Sequence, residues 1–231
     1  MILMVGHEKG GVGKSTIAIT LAHLIAQVTK SKVALVDTDE SNNTCMWGQL
    51  RSSMGLTSDV TIMNQAIDPT ANIPNLAKVY DIVVVDVGAG DYKRLIEMAR
   101  IVDLWIAPTG PSQKEADSNI NLIEAFASAN HKHKNGKIPL AFVYNRAPAS
   151  SNSTEAQEAI DALRQYAPEV TVMNSVLCER KIYRDADKMG RTIMEMAPAQ
   201  RRKAEAEFVA FFNEAFSIYD QFQKEAKNGN T

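Results

Sequence analysis

Lys9-Gly10-Gly11-Val12-Gly13-Lys14-Ser15-Thr16 follows an apolar run, Ile2-Leu3-Met4-Val5, and leads into Ile17-Ala18-Ile19-Thr20-Leu21-Ala22. The first run reads as a buried strand and the second as a helix packed on one face, so the glycines fall in the turn between them. From His7 to Ser15 the spacing follows G-x-x-x-x-G-K-[ST], with Glu8 where the first glycine usually stands. Phosphate binding needs these residue types. Glycines let the backbone wrap closely and aim several N–H groups at one anion. The helix that begins near Lys14 adds about half an elementary positive charge at the same point. Gly10 to Thr16 are therefore the expected nucleotide-binding residues. Lys14 reaches the β- and γ-phosphates, and the Ser15 hydroxyl can complete a Mg²⁺ shell.

Outward from this loop, two further apolar runs end in acids. Lys32-Val33-Ala34-Leu35-Val36-Asp37 and Asp81-Ile82-Val83-Val84-Val85-Asp86 are contiguous in apolar residues, as parallel strands covered on both faces are. Carboxylates at the carboxyl ends of such strands stand where ligands bind in open α/β sheets. Asp86 fits a strand delivering a carboxylate toward Mg²⁺, usually through water. Val87-Gly88-Ala89-Gly90-Asp91 then forms a loop with two glycines, and Asp91 can cap a helix over 92–99. Further strands are predicted at 101–107 and at 138–144, the latter ending in Asn145-Arg146, and the runs 170–173 and 175–177 lead to Cys178. Val60-Thr61-Ile62 is a possible short strand, and no chemistry is assigned to residues 52–78. The pattern predicts an α/β fold: a three-layer, doubly wound, mostly parallel sheet.

Composition narrows the function. The 231 residues suffice for one α/β domain with a large core, and residues 1–231 are expected to form that single domain. A formal net charge of −2 gives no global electrostatic case for DNA, so nucleic-acid contact would need a local patch. Cys45 and Cys178 belong to no C-x-x-C pair, which fits a reducing cytosol. The expected location is cytoplasmic: the chain enters a strand at once, and no apolar run reaches membrane-spanning length.

Lys9 is not needed to cradle phosphate within one chain. With it, the stretch resembles the mark of the ParA/MinD family of deviant Walker A ATPases, K-G-G-x-G-K-[ST], at every specified position. The resemblance implies the P-loop NTPase fold, ATP with Mg²⁺, and a homodimer in which Lys9 reaches the partner's nucleotide. It implies that Asp39, in Asp37-Thr38-Asp39, positions the attacking water, and that Asp37 lies near the Mg²⁺ shell with Ser15 and Asp86. It places Asn145 at the adenine edge, with Arg146 beside it; an amide offers a purine both donor and acceptor. Arg180-x-x-Tyr183-Arg184-x-Ala186-x-x-x-Gly190-x-Thr192-Ile193 also resembles a family segment. In relatives, basic residues here and on the last helices touch nonspecific DNA, which makes Lys181, Arg184, Lys188, Arg191, Arg201, Arg202 and Lys203 candidates. The chain departs from the family at Glu40-Ser41-Asn42-Asn43, where Pro-Gln is common, and at Asp86-Val87-Gly88-Ala89-Gly90-Asp91, where Asp-x-Pro-Pro is common.

Other features have plainer readings. Trp47 is either a family tryptophan or a core aromatic. Pro108-Thr109-Gly110-Pro111-Ser112 either borders the nucleotide and dimer face or is a simple turn with Ser112 as cap. His131 and His133 lie in a basic loop expected to be exposed. The last helix, about 198–226, carries Phe208, Phe211, Phe212, Ala215, Phe216, Tyr219 and Phe222 on one stripe. Its polar face holds many acids, so packing against the sheet is expected over membrane binding.

The leading expectation is an ATPase that partitions plasmid or chromosomal DNA. It would bind DNA nonspecifically when ATP-bound, associate with the nucleoid, and hydrolyse ATP when stimulated by a ParB-like or centromere-binding adaptor. The alternatives are a MinD-like membrane-cycling ATPase or one that positions a protein cargo. A nitrogenase-reductase-like enzyme would need interfacial cysteines that Cys45 and Cys178 do not supply. A dethiobiotin-synthetase-like ligase would need a substrate site that the sequence does not reveal.

Overall fold

The computed structural model describes residues 1–90, 92–110, 119–124, 126–127, 133, 140–149 and 154–228. Seven strands form one sheet: β1 (Ile2–Val5), β2 (Val33–Asp37), β3 (Val60–Asn64), β4 (Ile82–Asp86), β5 (Leu104–Thr109), β6 (Leu140–Ala147) and β7 (Thr171–Cys178). Their order is β3-β2-β4-β1-β5-β6-β7, and every pairing is parallel. The chain builds outward from β1 to β3, returns to β4, then crosses β1 to build β5, β6 and β7. That reversal leaves a crevice at the carboxyl ends of β1, β2 and β4, where open α/β sheets bind ligands.

The helices are α1 (Lys14–Thr29), α2 (Asn43–Ser53), α3 (Pro69–Leu76), α4 (Tyr92–Ala99), α5 (Glu155–Tyr166), α6 (Lys181–Asp187) and α7 (Pro198–Asn228). Residues 119–124 are also helical. Successive strand residues point to opposite faces. Leu3, Val5, Leu35 and Val84 join α1 and α7 in one core. Met4, Val36, Val83 and Val85 join α3, α4 and α5 in the other. Two covered faces explain why these strands are contiguous apolar runs rather than alternating ones. On α7, Phe208, Phe211 and Ala215 are buried in the first core, with Phe212, Phe216, Tyr219 and Phe222 packed around it. The helix is amphipathic, and its apolar stripe faces the sheet.

Two strands run further than their apolar runs, and one expectation changes. Most of 170–177 lies in a single strand, β7 (Thr171–Cys178), with a register shift against β6 between Phe142 and Tyr144. β6 runs past Tyr144 through Asn145 and Arg146 to Ala147, with Arg146 at φ 60° beside a second register shift. Such an irregularity bends the strand and re-aims its side chains at the sheet's ligand end. His133, from the run expected to be exposed, is buried, its Nε2 2.8 Å from the Val102 carbonyl. A ring that finds a main-chain partner can leave water without losing a hydrogen bond. Asp91, Pro111, Ser112 and His131 lie outside the described residues.

Candidate functional site: a phosphate loop with two adjoining cavities

Gly6 follows β1 in extending the sheet, its N–H bonded to the Ile106 carbonyl at 3.0 Å. The loop then turns. His7 is fully buried, with Nε2 3.0 Å from Asn119 Oδ1, and Asn119 Nδ2 donates to Thr109 Oγ1 at 2.8 Å. His7 Nδ1 accepts the Lys9 N–H at 3.1 Å. Lys14 Nζ donates to the Lys9 carbonyl at 2.7 Å. The main chain of Lys9 is thus fixed from both sides, and the Lys14 ammonium lies inside the loop. Lys14 is 8% exposed. Burial lowers its pKa, while Asp86 and Asp39 favour its charged form. Gly13 has φ 92°, a left-handed conformation, and a Cβ there would overlap Asn145 Nδ2. Only glycine meets both demands.

The loop borders a cavity of about 370 Å³ lined by Gly10, Gly11, Gly13, Lys14, Ser15, Thr16, Asp37, Asp39, Asn43, Asp86, Val87, Gly88 and Ala89. Asp86 is 4% exposed. Burial pushes its carboxyl up to about 6, against the hydrogen bond from Thr44 that stabilises the carboxylate. Thr44 Oγ1 donates to Asp86 Oδ2 at 2.7 Å, while Asp86 Oδ1 is buried with no hydrogen-bond partner. An orphaned carboxylate oxygen beside a hydroxyl fits a hard divalent cation, which takes oxygen ligands. No group of three or more His, Cys, Asp or Glu side chains converges among the described residues. A cation here would therefore keep water and phosphate oxygens in most of its shell, as Mg²⁺ does.

Asp37 has a different environment. Its Oδ1 accepts the Asp39 N–H at 2.9 Å, and Oδ2 accepts those of Thr44 (2.9 Å) and Cys45 (3.3 Å). Burial raises its pKa against these three bonds. The residue preceding α2 is Asn42, which makes no side-chain cap, so Asp37 takes the free N–H groups of the first turn. Asp39 Oδ1 accepts the Ser41 N–H at 2.9 Å. A Cβ on Gly88 would stand 2.8 Å from Asp39 Cγ, so glycine allows the two loops to approach. Arg94, from α4, donates to the Thr38 carbonyl.

On the other side of the loop is a second cavity, of about 240 Å³. Gly11, Gly13, Thr16, Ile17, Asn145, Arg146 and residues 177–180, 183 and 184 line it. Gly11, Gly13 and Thr16 face both cavities. Asn145 is buried and its Nδ2 donates to the Val12 carbonyl at 2.7 Å; Arg146 Nη1 donates to the Gly11 carbonyl at 2.8 Å. Both residues thus brace the phosphate loop from β6. Arg180 pairs with Glu207 of α7.

The basic candidates are scattered in their environments. Lys181 pairs with Asp185, Arg184 with Glu179, and Arg201 with Glu205. Arg184 also lines the second cavity. Lys188, Arg191, Arg202 and Lys203 are exposed. Trp47 is buried, edge-on to His23, with the Arg51 guanidinium 5.7 Å from its ring; it is a core aromatic.

Thr44, Arg94, His7 and Asn119 were not foreseen. Thr44 is the second residue of α2, and its hydroxyl goes to Asp86, 42 residues away, which leaves no local trace. The His7–Asn119 contact joins residues 112 apart in sequence and leaves no local trace. No helix among the described residues is long and apolar enough to cross a membrane.

Residues 3–193 match the nucleotide binding domain family described as CobQ/CobB/MinD/ParA. A relative from Gloeobacter kilaueensis, named maintenance of carboxysome distribution protein A, is 28% identical over 211 residues, covering 90% of each chain. Among solved structures, McdA from Cyanothece superposes in its apo form with a TM-score of 0.75 at 19% identity, covering 94% of this chain and 99% of that one. Its ATP complex gives 0.68 at 18% identity, with 91% and 95% covered. The septum site-determining protein MinD of Pyrococcus horikoshii, complexed with Mg-ADP, gives 0.67 at 18% identity, with 97% and 96% covered.

Proposed function

The chain belongs to the CobQ/CobB/MinD/ParA nucleotide-binding family, and on that premise we propose that it is an ATPase whose ATP-bound dimer positions a protein cargo. The family uses ATP and Mg²⁺. One observation carries the reading: Lys14, Asp39 and Asp86, the last with a buried oxygen that has no hydrogen-bond partner, line one cavity floored by the glycine loop.

In this reading the loop N–H groups and Lys14 bind the phosphates, the nucleoside enters the second cavity, and Asn145 and Arg146 hold the loop between them. Mg²⁺ would be held by Ser15 and Asp86, directly or through water, and would neutralise charge on the β- and γ-phosphates. Asp37 acts at one remove, by fixing the start of α2 and hence Thr44. Asp39, brought close to the 87–90 loop by Gly88, orients the attacking water. Lys9 crosses to the partner's nucleotide and makes dimerisation depend on ATP.

Protein cargo is preferred to plasmid partition, the first expectation from sequence. What supports it is the full-length likeness to a protein named for carboxysome distribution. Lys188, Arg191, Arg202 and Lys203 remain the proposed surface for nonspecific DNA contact, which would be salt-sensitive. Lys181, Arg184 and Arg201 are engaged with acids and contribute less. The partner that stimulates hydrolysis is then an adaptor on the protein cargo, and the protein works in the cytoplasm on the nucleoid, residues 1–231 acting as one domain. A membrane-cycling role has less support, because the apolar stripe of α7 is already packed on the sheet.

Two measurements test this. Purified protein should hydrolyse ATP only with Mg²⁺; Mg²⁺-independent turnover counts against the cation site. Deleting the coding sequence from its host should leave plasmid retention unchanged and disperse or cluster a large protein assembly. Plasmid loss with normal assemblies would restore the partition reading.

A further inference from the structure

Lys9 is held by a chain of hydrogen bonds whose directions all follow from one group. The Lys9 main-chain N–H can only donate. His7 Nδ1, 3.1 Å away, is therefore the bare nitrogen of a neutral ring, and the proton sits on Nε2. Nε2, 3.0 Å from Asn119 Oδ1, donates to it. The Asn119 amide nitrogen is left to donate to Thr109 Oγ1, at 2.8 Å. Turning that amide over would set its two N–H groups against Nε2 and move the ring proton to Nδ1, where it would meet the Lys9 N–H. His7, Asn119 and Thr109 are all buried, so water does not make good a bond lost in this way.

The main chain on either side is fixed as well. Trp105 Nε1 donates to the Gly6 carbonyl at 2.9 Å, which holds the peptide leading into His7. The Lys9 carbonyl accepts from Lys14 Nζ at 2.7 Å. The Lys9 N–H lies in the peptide plane before its Cα, and the Lys9 carbonyl in the plane after. With both planes held, φ and ψ are set, and with them the direction of the Cα–Cβ bond. We propose that His7 is a positioning residue for Lys9: Asn119 fixes the tautomer of His7, and the bare Nδ1 sets the direction in which the Lys9 side chain leaves the loop toward a second copy. The assignment rests on the reading of Lys9 as the residue that crosses to the partner's nucleotide. His7 and Asn119 touch no nucleotide in it and act through Lys9.

Two measurements test it. The first uses wild-type protein labelled with ¹⁵N at its four histidines. Imidazole nitrogen spectra separate a bare ring nitrogen from a protonated one, and the resonances missing from His7→Asn are those of His7. A bare Nδ1 and a protonated Nε2 are expected at neutral pH; the opposite tautomer, or a doubly protonated ring, overturns the assignment. The second is sedimentation with Mg²⁺ and a non-hydrolysable ATP analogue on wild type, Lys9→Ala, His7→Ala and His7→Asn. A dimer holds two of these bonds, so His7→Ala should weaken analogue-dependent dimerisation about ten- to a hundredfold, while ADP affinity of the monomer falls by less than about twofold. An asparagine oxygen can bond the N–H two residues on, so His7→Asn should recover dimerisation to within about threefold of wild type. Dimerisation of His7→Ala equal to wild type, where Lys9→Ala is monomeric, overturns this assignment and leaves the role of Lys9 standing. An equal loss of ADP affinity, or no recovery with asparagine, overturns it too, as either is the mark of a packing role. A wild type that stays monomeric, or a Lys9→Ala variant that dimerises as well as wild type, removes the reading of Lys9 and this assignment together.

Discussion

Strands β2 and β4 end alike, and their last residues are held differently. Asp37 and Asp86 are register partners on adjacent parallel strands, and both are buried. Asp37 has three backbone N–H groups on its two oxygens. Asp86 has one oxygen on the Thr44 hydroxyl and the other on nothing. Thr44 joins the pair: its N–H goes to Asp37 and its hydroxyl to Asp86. A buried acid at a strand end is thus not yet a metal ligand. Its role depends on whether the local backbone has already filled its acceptor positions.

The contrast can be broken, beginning with the largest effect. Asp86→Asn should keep the fold, since the amide oxygen can still accept from Thr44, and should lower Mg²⁺-dependent ATP turnover by about 10²- to 10³-fold, as loss of a metal-held charge does. Full turnover in that variant would remove Asp86 from the cation site. Gly88→Ala sharpens the picture at Asp39. The added methyl must push Asp39 aside, so the turnover number should drop about ten- to a hundredfold, as small displacements of reacting groups do, with little change in ATP affinity. Equal losses in both would mean that the substitution collapses the cavity instead.

Asp37→Ala should act mainly on stability. Losing the acceptor at the first turn of α2 should cost about 2 kcal/mol, the upper end for a helix cap, read as a lower urea midpoint. A variant of unchanged stability that has lost its Mg²⁺ dependence would exchange the roles of the two acids. Thr44→Val should have the smallest effect. It keeps the Thr44 N–H on Asp37 and removes the donor from Asp86, for a loss of about 1 kcal/mol. No loss at all would mean that Asp86 does not depend on Thr44.

Much of this was legible in the sequence because it is local. The glycine loop, the buried strands and the acids at their ends each announce themselves within about ten residues, and the sheet was read as parallel from contiguous apolar runs. What could not be read was long-range. Asn145, expected at an adenine edge, lines the second cavity, and its amide also donates to the Val12 carbonyl 133 positions away, a bond with no local trace. β6 was expected to end in Asn145-Arg146; the register shifts that accompany these residues and carry the strand on to Ala147 are a property of the pairing with β7. His133 belonged to a run rich in lysine and histidine and was read as solvated; the Val102 carbonyl that buries it is 31 residues away. Asp37, expected near the metal shell, lines the cavity with Ser15 and Asp86, but residue type and strand position did not reveal the three N–H groups that the following turn aims at it. The preference for protein cargo over DNA came from the comparison with relatives, since the phosphate site is the same for either.

The central claim is that ATP joins two copies through Lys9. Sedimentation equilibrium with Mg²⁺ and a non-hydrolysable ATP analogue tests it most directly, run on wild type and Lys9→Ala. The account predicts a wild-type dimer that reverts to monomer with ADP, and a variant that binds the analogue but stays monomeric. A wild type that remains monomeric at saturating analogue, or a variant that dimerises equally well, would contradict it.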